Sequence, residues 1–475
     1  MVQIGPQAFL LGGLSGREAL SQLFSYQLDL LAESENVPLD GLVGQSVTVE
    51  LALAGGGTRF FSGIASRVTV GARSGRLVSY RAEIVPRVWL LTRTQHSRIF
   101  ERTSVPQILA AVLAGFGEVE SRLVGSYEPR DYCVQYRESD FNFASRLMEE
   151  EGIYYYFKDT AAGHTLVLGD TPAAHVDVPG PSAVAFDPTG SAHDATPAVV
   201  LWEKTQELRA GKVTLRDHNF QLPGDPLEAQ ATIRESVRAG QVTHRLRVGG
   251  NAALENYDFP GRYAERFDGI DPAGGEQPAE LQKIFPVARK TASVRMDEET
   301  VPSLAIAGTS NARQLTSGHR FALTGHPNAD GAYVLTSVQH SVKVHDPRAG
   351  DRGLRYENSF TCIPESLPYR PPRRTPQPTV PGTQTAVVVG PPGEQVFTDK
   401  YGRVKVQFFW DRDGKSDANS SRWVRVQQLL AGSGRGVFWR PEIGDEVIVA
   451  FEDGDPDRPY VLGSLYNPRR PPPPQ

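Results

Sequence analysis

Histidine side chains bind metals and transfer protons near neutral pH, so their spacing indicates whether this sequence carries such chemistry. None of them belongs to a His-Glu-x-x-His motif or accompanies a Cys-x-x-Cys pair, the spacings that zinc sites use. His340 and His345 are five residues apart in a strand-like segment, so we expect their side chains to point to opposite faces. Structural roles are therefore predicted for all ten histidines, at positions 96, 164, 175, 193, 218, 244, 319, 326, 340 and 345.

Nucleophilic and phosphate-binding motifs are also missing from the sequence. It contains no Gly-x-Ser-x-Gly nucleophile elbow. The stretch Gly432-Ser-Gly-Arg-Gly436 lacks the lysine and the following helix of a phosphate-binding loop, so we predict a plain loop there. Cys133 and Cys362 are the only cysteines, which excludes a disulfide framework and suits a reducing compartment.

Carboxylates are abundant, so counting them does not test for a glycosidase-type pair. The densest cluster is Asp453-Gly-Asp-Pro-Asp457, which lacks the closing Glu of a calcium loop and is predicted to be a turn. The run Glu149–Glu151 is predicted to be a solvated face, with a docking contact as the alternative. We predict no catalytic, cofactor-binding or metal-binding residue, and no cofactor.

Length and composition indicate a folded protein of several domains. The 475 residues are too many for one core, so three or more domains are expected. The 46 glycines and 36 prolines favour turns and short strands. A net charge of −5 argues against a general nucleic-acid binder. The N-terminus has no signal-peptide pattern, and no apolar run approaches the ~18 residues of a membrane span.

Local patterns predict strands first and then two helices. Alternating apolar residues predict strands at 24–30, 46–51, 59–70 and 78–85. Ser104 and Gln107 form a capping box before a helix that can end at Gly117. A second helix is predicted from Ser139 or Asp140 to Glu151, followed by a strand at 153–157.

The next part of the chain is predicted to contain a loop, a helix and a second set of strands. Residues 170–200 are predicted to be a loop. Asp225-Pro-Leu-Glu predicts a third helix that runs to about Arg238. Strands are predicted from Gln241 onward and at 286–296, 318–325 and 332–344.

The C-terminal part is predicted to be a small barrel behind a linker. Residues 364–392 contain nine prolines and predict an extended, semi-rigid linker. Beyond it, Val404, Val406 and Phe408 alternate with polar residues, and similar runs follow at 424–427 and 447–451. Residues 386–468 carry 10 Lys and Arg against 12 Asp and Glu, which argues against a nucleic-acid groove.

Several blocks of the sequence resemble the VgrG family, the spike proteins of type VI secretion systems. The C-terminal blocks are Asp399-Lys-Tyr-Gly-Arg-Val-Lys-Val-Gln-Phe, Ser421-Arg-Trp-Val-Arg-Val and Gly454-Asp-Pro-Asp-Arg-Pro. Upstream blocks that are typical of the family include Val134-Gln-Tyr-Arg-Glu-Ser-Asp-Phe, Tyr257-Asp-Phe-Pro-Gly-Arg-Tyr and Gly331-Ala-Tyr-Val-Leu-Thr-Ser-Val-Gln-His. The blocks span nearly the whole chain in one order.

The resemblance implies a mainly β fold with two hub-type β-barrels, a small helical insert and an OB-fold barrel. No repeats that could form the family's C-terminal β-helix needle follow Asn467, so we expect that needle to be absent here. The predicted domains are a first hub barrel at 1–100, a helical insert at 101–170, a loop, helix and second hub barrel at 171–363, the linker at 364–392, the OB-fold base domain at 393–468 and a Pro-rich tail at 469–475.

The resemblance also implies a mechanical role and not an enzymatic one. The expected assembly is a homotrimer whose six barrels dock on the hexameric Hcp tube, next to baseplate proteins. The family carries a PAAR-type tip protein and effectors or adaptors through its C-terminal region, and binds no nucleic acid. The expected location is the cytoplasm before firing and then the medium or a target cell, without a signal peptide. The alternatives are a hub of another contractile injection machine, such as a phage-like tail or an extracellular injection particle, or a spike that bears a cell-wall hydrolase.

The Trp and Arg side chains of residues 398–467 could form a ligand-binding face. We predict instead that they make packing and trimer contacts.

Overall fold

The computed structural model describes residues 2–54, 56–189, 196–344 and 354–474. His193 and His345 of the sequence analysis lie outside these residues. In the described parts of the chain, no helix is both long and apolar enough to cross a membrane.

The first barrel is a ring of antiparallel strands near the N-terminus. Its strands are β1 (Val2–Ile4), β2 (Gln7–Ala19), β3 (Ser25–Ala32), β4 (Ser46–Ala52), β5 (Thr58–Ser74) and β6 (Leu77–Val85). They pair in the order β2, β3, β6, β5, β4, while β1 pairs with β2 and contacts β4. Leu28 and Leu30 are buried with Tyr80 and Ala82 of the neighbouring strand, as side chains at every second position must be when one face covers a core. All four strands predicted here are present.

The helical insert packs on this first core. It contains β7 (Gln95–Thr103), α1 (Val105–Leu113), β8 (Glu118–Arg122), β9 (Arg130–Ser139), α2 (Asp140–Glu151), β10 (Tyr154–Thr160) and β11 (Gly163–Gly169). The predicted capping box is confirmed, since the Gln107 side chain accepts from the backbone N–H of Ser104 at 2.9 Å. Ser139 caps α2 by accepting from Asn142 N–H. Gly152 ends α2 with φ 70°, which a residue with a Cβ rarely adopts.

The second half of the hub adds a further set of strands and two helices. These are β12 (Val176–Asp177), β13 (Ala183–Phe186), β14 (Ala198–Gln206), β15 (Lys212–Asp217), β16 (Leu227–Thr232), β17 (Ser236–Ala239), β18 (Val242–Arg245), β19 (Glu255–Asp258), α3 (Pro278–Gln282), α4 (Ile284–Thr300), β20 (Leu304–Ser310), β21 (His319–Thr324), β22 (Gly331–Val344) and β23 (Leu354–Pro364). The strands predicted at 318–325 and 332–344 are β21 and β22.

The second barrel is closed by hydrogen bonds, and it shares a sheet with the first. Strands β13, β14, β20, β23, β22 and β21 pair in a complete ring. The long strand β22 pairs with β21 near its start and with β2 over Ser337–Lys343. One thirteen-stranded sheet therefore runs through both barrels. The strand β22 is part of both barrels.

Three local predictions for this half are wrong. The segment predicted as a third helix, 225–238, contains β16 and part of β17. Leu227 and Ala229 are buried while Glu228 and Gln230 between and after them are exposed, which is the alternation of extended backbone with one face on a core. The segment 286–296, predicted as a strand, lies inside α4. The buried positions of α4 include Ile284, Ala288 and Ala292, spaced by four residues, and the helix packs on β15 and β16. The predicted loop at 170–200 contains β12, β13 and the start of β14.

The terminal barrel spans residues 384–465 and closes around its own core. It contains β24 (Gln384–Val389), β25 (Lys405–Phe408), β26 (Arg425–Val426), β27 (Ala431–Gly432), β28 (Arg435–Gly436), β29 (Glu446–Phe451) and β30 (Pro459–Leu465). The sheet order is β25, β24, β29, β30, β26. A bridge between Val404 and Val424 joins the two outer strands. The first strand, β24, lies inside the segment predicted as linker.

A buried polar cluster ties the two hub barrels together. The Glu18 carboxylate on β2 accepts from Arg59 of β5 at 3.1 Å, Tyr26 OH at 2.8 Å and Ser317 N–H at 3.0 Å. His340 of β22 lies 3.2 Å from the same carboxylate. Burial opposes the charge on Glu18, but Arg59 and His340 more than offset it and lower the pKa of Glu18 to about 2.

We predict that Glu18→Ala destabilises the hub by about 3–5 kcal/mol, because it removes a buried carboxylate and leaves Arg59 with one partner fewer. Urea unfolding followed by circular dichroism measures this loss. Glu50→Ala, at an exposed position of β4, is the control and is expected to change the free energy of unfolding by less than about 0.5 kcal/mol. A loss below about 1 kcal/mol for Glu18→Ala would contradict a structural role of this cluster.

Candidate functional site: the junction of the hub and the terminal barrel

Several of the histidines that the structure describes are bonded within the fold, whereas His218 is exposed. His175 and His319 are buried and bond to the carbonyl oxygens of Gly318 and Ser317. Burial lowers the pKa of both imidazoles to about 4, so they are neutral near pH 7. In the described ranges, no three His, Cys, Asp or Glu residues are grouped so that they could hold a metal ion. The stretch Gly432–Gly436 forms the β27–β28 hairpin.

The acidic run at the end of α2 is not a solvated face. Arg130 of β9 donates to Glu150 and to Glu151, both at 2.8 Å. Arg266 and Lys290 add ion pairs to Glu151 at 2.9 and 3.0 Å. Burial alone would raise the pKa of Glu150, but Arg130 and Arg266 lower it to about 2. The prediction of a solvated face is wrong, because these cations offset both the burial and the unfavourable end of the helix dipole. The run contacts other parts of the same chain, and the alternative, a docking contact, stays a prediction.

The strap, residues 365–383, docks on the same end of α2. The Glu149 carboxylate accepts from the backbone N–H groups of Arg374 and Thr375 at 3.1 and 3.0 Å. Arg370 donates to the carbonyl oxygens of Gly152 and Asp170 at 2.8 and 2.7 Å. The last turn of a helix leaves its carbonyl groups without hydrogen-bond partners within the helix. Arg370 provides such a partner at the end of α2, and the same bond holds the strap in place.

Arg403 of the terminal barrel is the most buried charged contact to the hub. Its guanidinium donates to both carboxylate oxygens of Asp268 at 2.6 and 2.9 Å and to Asp399 at 2.7 Å. Only 1% of the side chain is exposed. A bidentate arginine–carboxylate pair fixes the relative orientation of the two groups as well as their distance. The barrel is therefore held in one orientation on the hub.

Arg422 and Trp423, just before β26, extend this contact. Arg422 donates to the backbone carbonyl and to the carboxylate of Glu265 at 3.1 and 3.2 Å. The indole N–H of Trp423 donates to the carbonyl oxygen of Asp271 at 2.7 Å. The predicted packing role of these Trp and Arg side chains is therefore seen against the hub of the same chain. Their predicted role in contacts between copies stays a prediction.

A second side of the terminal barrel contacts β9. Trp410 donates to the Gln384 side-chain oxygen at 2.8 Å, and Gln384 donates to Tyr136 OH at 2.7 Å. The Asp457 carboxylate of the predicted turn accepts from the backbone N–H of Val134 at 2.6 Å. Contacts on two sides oppose both rotation and separation of the barrel relative to the hub.

The sequence analysis did not single out Asp268 or Asp271. Asp268 lies 135 residues before Arg403, and no local pattern links two such distant positions. A signal that could have suggested Arg403 is its place directly before the alternating run Val404, Val406 and Phe408, because an arginine that becomes buried beside a core is almost always paired.

We predict that Arg403→Leu loosens the junction, because Asp268 and Asp399 are then buried without their cation. The expected loss of stability is about 3–5 kcal/mol, together with faster cleavage of the strap in limited proteolysis. Arg412→Leu is the matched control, since Arg412 lies on the same barrel and is exposed. Equal cleavage rates for the Arg403 and Arg412 variants would contradict this role.

Two family models match separate stretches of the chain. The family described as phage tail baseplate hub (GPD) matches residues 17–346. The family described as type VI secretion system/phage-baseplate injector OB domain matches residues 393–466.

Relatives from Pseudomonas aeruginosa carry the similarity over almost the whole chain. The type VI secretion system spike protein VgrG1a is 39% identical over 98% of this chain and 68% of its own length. VgrG1b is also 39% identical over 98% of this chain, which spans 59% of that relative. This chain therefore corresponds to about three fifths to two thirds of their length.

Solved structures show the same fold at low sequence identity. The E. coli c3393 protein, described as a type VI secretion component similar to the phage T4 tail proteins gp27 and gp5, aligns with a TM-score of 0.65, at 21% identity, over 98% of this chain and all of its own. A chain of a Francisella PdpA–VgrG complex aligns with a TM-score of 0.56, at 8% identity, over 97% of this chain and 74% of its own. With its hub strands, its OB-fold barrel and relatives at this identity, the chain belongs to the VgrG family of type VI secretion system spike proteins.

Proposed function

We propose that this chain acts as a mechanical hub and collar: three copies dock on the Hcp tube and pass the thrust of a contracting sheath to the tip. The buried junction carries this proposal. A spike part under load needs its domains to keep one relative pose, and Arg403, Arg422 and the strap are bonded in a way that favours one pose. No chemical reaction is assigned to the chain.

Exposed apolar side chains on the terminal barrel support a trimer. The β27–β28 hairpin is flanked by Leu429, which is 89% exposed, and Phe438, which is 64% exposed, with Leu430 and Val437 beside them. Large apolar side chains grouped in this way on a surface mark contact sites. A second and third copy of the same barrel are the proposed partners, since a closed ring of three buries the hairpin of every copy.

The hub supports docking on a six-fold tube. Each chain carries two barrels that share one sheet through β22, so three chains place six similar barrels around one axis. The proposed partners of this ring are the hexameric Hcp tube and the baseplate proteins. A PAAR-type tip protein and effectors or adaptors would lie at the opposite end. The proposed location is the cytoplasm before firing and the medium or target cell afterwards.

We predict that Leu429→Glu combined with Phe438→Glu converts a trimer into monomers, because six added charges would meet at the shared contact. Light scattering after size exclusion measures the particle mass against the 52.0 kDa of one chain. Val124→Glu is the control: Val124 is 74% exposed on the helical insert, and its variant is expected to stay trimeric. A wild-type monomer at micromolar concentration would overturn the proposed assembly.

We also predict that Hcp hexamers bind the wild-type protein and not the hairpin double variant, since docking requires six barrels in one ring. Electron microscopy of the mixtures distinguishes a hexameric ring on one face of the particle from free components. Absence of any complex with the wild-type trimer would overturn docking while leaving the trimer intact.

A further inference from the structure

A cleft rich in arginine lies between α4, the segment after β19 and the strap. It encloses about 400 Å³. Five arginines line it against three carboxylates, those of Glu149, Glu150 and Asp258. This surplus of positive charge is unusual in a chain whose net charge is −5. The arginines are at positions 146, 262, 266, 295 and 373.

Three of these arginines are engaged within the fold. Arg146 donates to Glu138 at 2.8 Å, Arg266 to Glu151 at 2.9 Å and Arg373 to Glu298 at 3.2 Å. Burial lowers the pKa of Arg266 and of Arg373, and a neighbouring arginine lowers each further. Each of these two side chains therefore has a second guanidinium near it as well as a carboxylate.

Two of the three carboxylates of the cleft also accept hydrogen bonds from other groups of the chain. Glu149 accepts from the strap backbone, and Glu150 accepts from Arg130 and from Gln377 at 2.8 and 2.9 Å. Asp258 is 54% exposed, so water weakens its field. Among the described residues, no other carboxylate lines the cleft.

Arg262 and Arg295 have no side-chain hydrogen bond among the described residues. The Arg295 side chain is only 10% exposed, and its Nε has no partner. Its closest carboxylate oxygen, on Asp258, is 3.9 Å away, and that of Arg262, on Asp455, is 3.7 Å away. Both distances exceed a hydrogen bond. A guanidinium buried to nine tenths without a hydrogen-bonded anion is costly, and it lines an open space.

We propose that this cleft is a binding site for a multivalent oxyanion, a phosphate or polycarboxylate group held between Arg295 and Arg262. Arginine is suited to this chemistry because its planar fork donates two parallel bonds to one phosphate or carboxylate. The space is large enough for a group of two phosphates or for a tricarboxylate. The site is lined by one chain, so it does not depend on the trimer or on docking.

Calorimetric titration of the purified protein with inorganic pyrophosphate, and separately with citrate, at constant ionic strength tests the proposal. We expect saturable binding of one anion per chain, and at least tenfold weaker binding by Arg295→Gln. Arg289→Gln is the matched control, because Arg289 lies on the same helix, is exposed and lines no part of the cleft. It removes the same charge and is expected to bind as the wild type does.

The two probes distinguish the sources of the anion. Tighter binding of pyrophosphate assigns a phosphate-bearing ligand, and tighter binding of citrate assigns a carboxylate-bearing one. If Arg295→Gln fails to fold by circular dichroism, Arg262→Gln takes its place, since Arg262 is 40% exposed. Wild-type protein that binds neither anion, or equal weakening in the Arg289 and cleft variants, would overturn the site. Neither result would bear on the trimer.

Discussion

A desolvated arginine, Arg403, fixes how the terminal barrel sits on the hub. Its cost is large, because a guanidinium and two carboxylates leave water together. That cost is offset only when all the bonds are made at once, with Asp268 and Asp399 in their observed places. Any rotation of the barrel would break a bond without a water molecule to replace it. The main effect of the Arg403–Asp268 pair is therefore to disfavour other orientations of the barrel. Its net contribution to the stability of the fold is smaller.

Buried arginine–carboxylate pairs also occur at other places where elements of this chain meet. Arg59 and Glu18 join β5 to β2 inside the hub, and Arg130 binds the acidic end of α2. In each case the arginine is at least nine-tenths buried and bonds to carboxylates on another element. Apolar cores hold the individual barrels, but apolar contacts are not directional. We infer that paired charges supply the direction that the cores lack.

Sequence patterns predicted the parts of this fold that are set locally. The capping box at Ser104, the left-handed Gly152 and the alternating strand β22 depend on neighbours within a few residues, and all are present. The helix α4 was missed because its Val and Thr residues favour strands locally, while packing on β16 selects the helix. The family blocks indicated the fold class, but residues such as Asp268, whose partner is distant in sequence, had no local signal.

Of two arginines near the end of α2, one is hydrogen-bonded to carboxylates and the other is not, and this difference distinguishes a structural role from the proposed binding role. Arg130 and Arg295 are both buried and both lie near the end of α2. Arg130 has two carboxylates at 2.8 Å, so its charge is satisfied by the fold. Arg295 has no carboxylate oxygen closer than 3.9 Å, although the acidic residues of α2 line the same cleft. A sequence that only needed to fill this position could use an apolar residue at lower cost. The arginine is therefore better explained by an anion that comes from outside the chain.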